Sequence, residues 1–168
     1  MAVGGSTLSA DSTAVFSASI AGTSWQTDSV SAFLVYESRE RVKIMTITGY
    51  SSNRLVTISL QDTTTASDSS LAVQSYPVDS WGDASAFVYA YNPIRIGRDS
   101  VWQQEGTGIS GQAAVSASDG ADRKVTGSFS FTARVVVIDS ATGRLSTDTV
   151  AVTDGVFKNI SYSYLMHP

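Results

Sequence analysis

The chain has 168 residues, a formal net charge of −4, no cysteine and one histidine. That length suits one domain around a single hydrophobic core, and the lack of cysteine excludes a disulfide framework, a thiolate nucleophile and a thiolate zinc site. Its three lysines, Lys43, Lys124 and Lys158, form no basic cluster, so the phosphate-neutralising patch that a nucleic-acid partner requires is missing.

Residues 1–13 are small, polar and rich in Gly, Ser and Thr, the composition of a flexible N-terminal linker, with a single β domain expected over 14–165. The opening MAVGGSTLSADS has neither the basic start nor the apolar stretch of a signal peptide. Composition along the rest of the chain favours strands. Charged residues make up 15%, against a usual ~25%, and Ser and Thr, which compete with helical hydrogen bonds, take their place.

Period-two patterning then recurs in chain order. Phe16, Ala18 and Ile20 share one parity, and Trp25 opens a short strand after the turn Gly22-Thr23-Ser24. Trp25 reads as a core anchor, with one N–H to satisfy. The continuous run Ala32–Tyr36 (AFLVY) predicts a strand covered on both sides; Val42–Thr48 (VKIMTIT) follows as the next strand. After the turn Ser51-Ser52-Asn53, Val56, Ile58 and Leu60 point one way. Residues 61–70 (QDTTTASDSS) read as an exposed loop, and Leu71–Tyr76 as a short strand ended by Pro77.

Ala86–Asn92 puts Phe87, Tyr89 and Tyr91 on one face; from Pro93 to Gly108 a helical turn capped by Ser100 competes with a strand through Val101 and Trp102. The last third is the most regular. Residues 111–118 alternate, the Asp119-Gly120 pair signals a hairpin, and Val125–Val135 (VTGSFSFTARV) returns antiparallel with Phe129 and Phe131 toward the core and Ser128, Ser130 and Thr132 toward solvent. The loop 139–144 (DSATGR) leads into Leu145–Val152, and Ile160, Tyr162 and Tyr164 share a parity at the end. His167 falls in a tail expected to fray. About ten strands, tight turns and no substantial helix define an all-β fold, an antiparallel β-sandwich with an up-and-down β-barrel as the alternative.

Several blocks together resemble a family of small cell-envelope lipoproteins of the Bacteroidota. Phe16–Trp25 (FSASIAGTSW) fits its opening F-x-A-x-I-x-G-x-x-W, ITGY and LVTISL (Ile47–Tyr50, Leu55–Leu60) its second block, Lys124–Ala133 (KVTGSFSFTA) its GtFsftA block, and Val152–Ile160 (VTDGVFKNI) its iTdGsF element. The resemblance implies an outer-membrane-anchored lipoprotein on the periplasmic or surface side, held through an N-terminal lipidated Cys that this chain lacks. It carries no activity and no catalytic residue.

Each tempting site has a plainer counterpart. Asp119-Gly120-Ala121-Asp122 offers two carboxylates for calcium but reads more simply as turn chemistry, so no metal and no cofactor are expected. Asp154-Gly155 reads as a turn or bulge in which the glycine adopts a conformation costly to other residues. Asp79 and Asp83 flank Trp81 as a glycosidase-like acid pair would; on that alternative the protein is a polysaccharide-acting hydrolase, and on another it is a virion or appendage subunit. The leading expectation is a non-enzymatic binding or structural module with no catalytic residue. The aromatic group Tyr76, Trp81, Phe87, Tyr89, Tyr91 and Trp102 divides into a core ladder (Phe87, Tyr89, Tyr91) and candidate ligand-binding rings, Trp81, Trp102 and Tyr76, for a glycan or an envelope protein.

Overall fold

The computed structural model describes residues 13–64, 68–79, 84–96 and 99–168, the side chains of 89–105 excepted. Among these residues every regular element is a strand: β1 (Val15–Ile20), β2 (Thr23–Gln26), β3 (Ser29–Glu37), β4 (Val42–Tyr50), β5 (Arg54–Asp62), β6 (Ser75–Pro77), β7 (Ala84–Ile96), β8 (Asp99–Asp119), β9 (Lys124–Ile138), β10 (Leu145–Ser161) and β11 (Ser163–His167). They form one mixed sheet in the order β11-β3-β4-β5-β7-β8-β9-β10-β1-β2, with β6 paired to β8. All pairings between strands are antiparallel except β11 with β3. The ladder is an open path ending at β11 and β2, so the sandwich-like reading holds and the up-and-down barrel does not.

Two corners let this sheet fold onto itself. β2 runs through Thr27 and Asp28 into β3: Thr27 N donates to Phe16 O at 3.2 Å, and Asp28 N to Tyr50 O at 2.7 Å. β10 likewise passes through Tyr162 into β11, where Tyr162 N donates to Arg123 O at 3.0 Å. Strands that change layer in this way bind the faces of a sandwich together.

The core lies between the inward parities. Phe16, Ile20, Leu34, Met45, Ile47, Val56, Ile58, Leu60, Phe129, Phe131, Val152 and Phe157 are all buried, and Trp25 is its expected anchor, donating Nε1–H to Ser51 Oγ at 2.9 Å. Two glycines make room for the rings. A Cβ on Gly127 would stand 2.2 Å from Ala114 O and 2.3 Å from the Phe157 ring, and one on Gly155 would stand 2.5 Å from the Phe129 ring. Each ring therefore lies flat against the bare backbone of the neighbouring strand.

The Asp154-Gly155 bulge is present: between Val152 and Gly155 the register of β10 gains one residue against β9. The left-handed conformation expected of the glycine is taken instead by Asp154 (φ 52°), while Gly155 serves as the bare backbone beneath the Phe129 ring.

Four local readings need correction. Only Leu34 and Tyr36 of Ala32–Tyr36 are buried, while Phe33 is 39% exposed; a strand with one outward face covers a single parity. Leu71–Gln74 lies outside any strand, and β6 begins at Ser75. On β7 the inward residues are Ala84, Ala86 and Val88, and Phe87 is half-buried, so Phe87 does not head a core ladder. His167 sits in β11 opposite Glu37, its Nδ1 2.9 Å from Glu37 Oε2, which ties down the end of the chain.

Candidate functional site

The domain has two ends of different chemistry. At one lie the start of β1, the β8–β9 hairpin and the segment 68–72, which closes over the core. Lys43 and Asp62, exposed by 3% and 0%, face inward here from directly opposed positions on β4 and β5. Their Nζ and Oδ2 are 3.5 Å apart, and Nζ also donates to Asp68 Oδ1 at 3.0 Å and to Ser70 O. Asp62 accepts in addition from Thr64 N and Ala72 N, both at 2.9 Å, and from Thr64 Oγ1. Tyr162 Oη donates to Ser69 O. The loop keeps Gln61, Thr63, Thr64 and Asp68 exposed, as expected, but Asp62 is buried, and charge-assisted hydrogen bonds latch the loop to the core, the condition under which buried charges are tolerated.

These contacts set the acid response. Burial of the Asp62 carboxyl works to raise its pKa, but the bonds from Thr64 and Ala72 and the charge of Lys43 together hold it below the ordinary 3.8. Asp68 is lowered first by its bond from Lys43, then by Ser70. Both carboxyls bind protons more weakly folded than unfolded. Their contribution to stability is accordingly complete above the unfolded value and lost as pH falls through the lower folded values. Urea midpoints should therefore drop below pH ~4, and the drop should be shallower in Lys43→Met/Asp62→Leu than in the parent. An equal acid slope in both would remove this network from the acid response.

The Asp119 loop spends its carboxylate on the turn, where Oδ1 accepts from Ala121 N at 2.9 Å and Asp122 N at 3.1 Å. Among the described residues, no three His, Cys, Asp or Glu side chains gather as a metal set.

At the other end the sheet divides into two hairpin arms. Arg54↔Ala90 is the last rung between β5 and β7, and Thr107↔Arg134 the last between β8 and β9. Beyond them β7 and β8 pair only with each other, through Tyr91↔Trp102 and Asn92↔Val101 to Ile96↔Asp99. β9 and β10 form the second arm, from Val135↔Asp148 to Ile138↔Leu145.

The predicted ligand-binding residues separate accordingly. Tyr76 is fully buried and donates Oη–H to Ala72 O at 2.7 Å; its ring is core and offers a ligand no face. Trp102 lies on the first arm at backbone register with Tyr91, although its side chain is outside the description. Trp81 and Asp83 lie outside the described residues altogether, and Asp79 is exposed beside β6.

Parity carried the signal for what the sequence reading missed. Lys43 shares its parity with Met45 and Ile47, and Asp62 with Val56, Ile58 and Leu60. A tight turn at Ser51–Asn53 fixes the two strands in a register that brings Lys43 opposite Asp62.

The architecture defines a β domain, all strand among the described residues, with an aromatic core and two projecting hairpins. The chain belongs to the family described as a domain of unknown function (DUF6252), matched over residues 12–161. No curated protein and no solved structure matches it.

Proposed function

We propose that the chain is a non-enzymatic binding or structural domain of a bacterial cell-envelope lipoprotein, anchored at its β1 end and engaging its ligand through the β7–β8 arm. The opposition of the two ends is the observation that carries this reading. Val15 pairs with Lys158, thirteen residues along β10 from Leu145 in the arms, a contour of roughly 40 Å at ~3.3 Å per strand residue. A linker entering at Val15 holds that end toward the membrane and turns the arms away from it. Hairpins carried on a rigid sheet are well placed for recognition. Tyr91 opposite Trp102 brings two aromatic residues to one rung, with Trp81 as the further candidate, for a glycan or an envelope protein.

The test is intrinsic fluorescence and thermal shift against a panel of glycans and envelope peptides. A binder should lose about tenfold in affinity, ~1.4 kcal/mol, in Trp102→Ala, with folding unchanged. Trp81→Ala reports the second ring. Binding unaltered by either substitution would move the site elsewhere, and turnover of a glycan abolished by Asp83→Asn would replace the binding module with a hydrolase.

A further inference from the structure

A cleft of about 250 Å³ opens between the edge strand β2 and the β4–β5 turn, with Trp25, Gln26, Asp28, Asn53 and Arg54 in its lining. Arg54↔Ala90 is the last rung before the β7–β8 arm departs, so the cleft lies at the foot of that arm. Its walls are fixed before any ligand arrives. Ser51 Oγ accepts from Trp25 Nε1 at 2.9 Å and from Arg54 N at 3.1 Å. It shares its own proton between Asn53 Oδ1 at 3.0 Å and Arg54 O at 3.1 Å. One hydroxyl thus ties the turn to β2. The backbone is held on both sides, by Asp28 N donating to Tyr50 O at 2.7 Å and Ser51 N to Arg54 O at 2.8 Å. A cleft built in this way has little order left to acquire on binding.

We propose that the cleft binds one sugar unit of a neutral glycan through Gln26, Asp28, Asn53 and Arg54, a site that uses none of the arm's residues. Gln26, Asp28 and Asn53 are exposed. Among the described residues, neither the Gln26 amide nor the Asp28 carboxylate has a hydrogen-bond partner in the chain. A carboxylate accepts from two neighbouring hydroxyls, while amides and a guanidinium add donors and a further acceptor. Adjacent sugar hydroxyls, each of which donates and accepts, require that mixture. The formal charges of Asp28 and Arg54 cancel, so a charged ligand finds no complementary field. Trp25 is only 7% exposed and leaves no hole for an apolar side chain, which disfavours a peptide. The volume also falls below the ~300–1,000 Å³ of a drug-sized ligand site, as suits a single ring.

The tryptophans give a clean test. The protein has three, Trp25, Trp81 and Trp102, so Trp81→Ala/Trp102→Ala removes the arm's indoles and leaves Trp25 as the reporter in the cleft. Titration of this variant with the methyl glycosides of glucose, galactose, mannose and N-acetylglucosamine should give a saturable change in emission with at least one of them. Asp28→Asn and Gln26→Ala, made in the same background, should each weaken that binding about tenfold with an unchanged melting profile. The methyl glycoside of glucuronic acid should bind no more tightly than that of glucose. No saturable response to any neutral glycoside, an affinity indifferent to both substitutions, or tighter binding of the glucuronide would each overturn the proposal. Glycan binding lost in Trp81→Ala/Trp102→Ala but kept in Asp28→Asn would retain the arm as the site and remove the cleft.

Discussion

Phe129→Ala is expected to cost about 3–5 kcal/mol of folding stability, whereas Ser130→Ala, the adjacent position, should stay within about 0.5 kcal/mol. The Phe129 ring is 3% exposed and stacks at centroid distances of 5.3, 6.3 and 6.4 Å on Phe16, Phe131 and Phe157. Those rings come from β1, β9 and β10, so truncation opens a void that no single strand can close. Gly155 lies against the same ring and has no side chain to move into the gap. Ser130 faces solvent on the opposite parity. Urea denaturation at constant m-value measures both substitutions; midpoint shifts of equal size would mean that the two faces of β9 are not distinguished energetically.

Asp62→Ala should be comparably damaging, at about 3–5 kcal/mol, because it leaves the Lys43 ammonium in the core without its opposed carboxylate. It also strips acceptors from Thr64 N and Ala72 N, releasing the segment that covers this end. Replacing both partners with apolar residues in Lys43→Met/Asp62→Leu should recover a large part of the loss, since it also removes the desolvated charge. A double-mutant cycle resolves this: single and double substitutions that simply add would show that the two groups do not interact.

The alternation of β9 and β10 was legible because one parity there is aromatic or aliphatic and the other hydroxylic, leaving one choice of face. On β7 both parities carry apolar residues, and periodicity alone does not say which is inside. Packing decides it. Val78 is buried beside the inner face of β8, and a Cβ on Gly108 would lie 2.9 Å from Val78 and 3.3 Å from Ala86. The space left there admits Ala86 and Val88 and turns Phe87 outward. The same limit applies to Tyr76. Its aromatic ring and hydroxyl fit a ligand site as well as a core, and only the acceptor at Ala72 O distinguishes them. His167 failed as a reading for a related reason: it looks like a solvated end until Glu37, distant in sequence, is placed beside it. The arms were missed because the sequence shows the turn at 139–144 but neither a clear reversal between Pro93 and Gly108 nor the rung at which neighbouring strands part company.

The placement of β1 determines how the domain meets mechanical load. β1 is held antiparallel between β10 and β2, and the chain enters it at the end remote from the β9–β10 hairpin. A pull between Val15 and that hairpin runs along the strand axes, while ladder hydrogen bonds lie across them. The rungs on both sides of β1 then bear the force simultaneously instead of opening one after another. Such a strand yields in shear, as a lap joint does, and resists extension where a peeled hairpin would unzip.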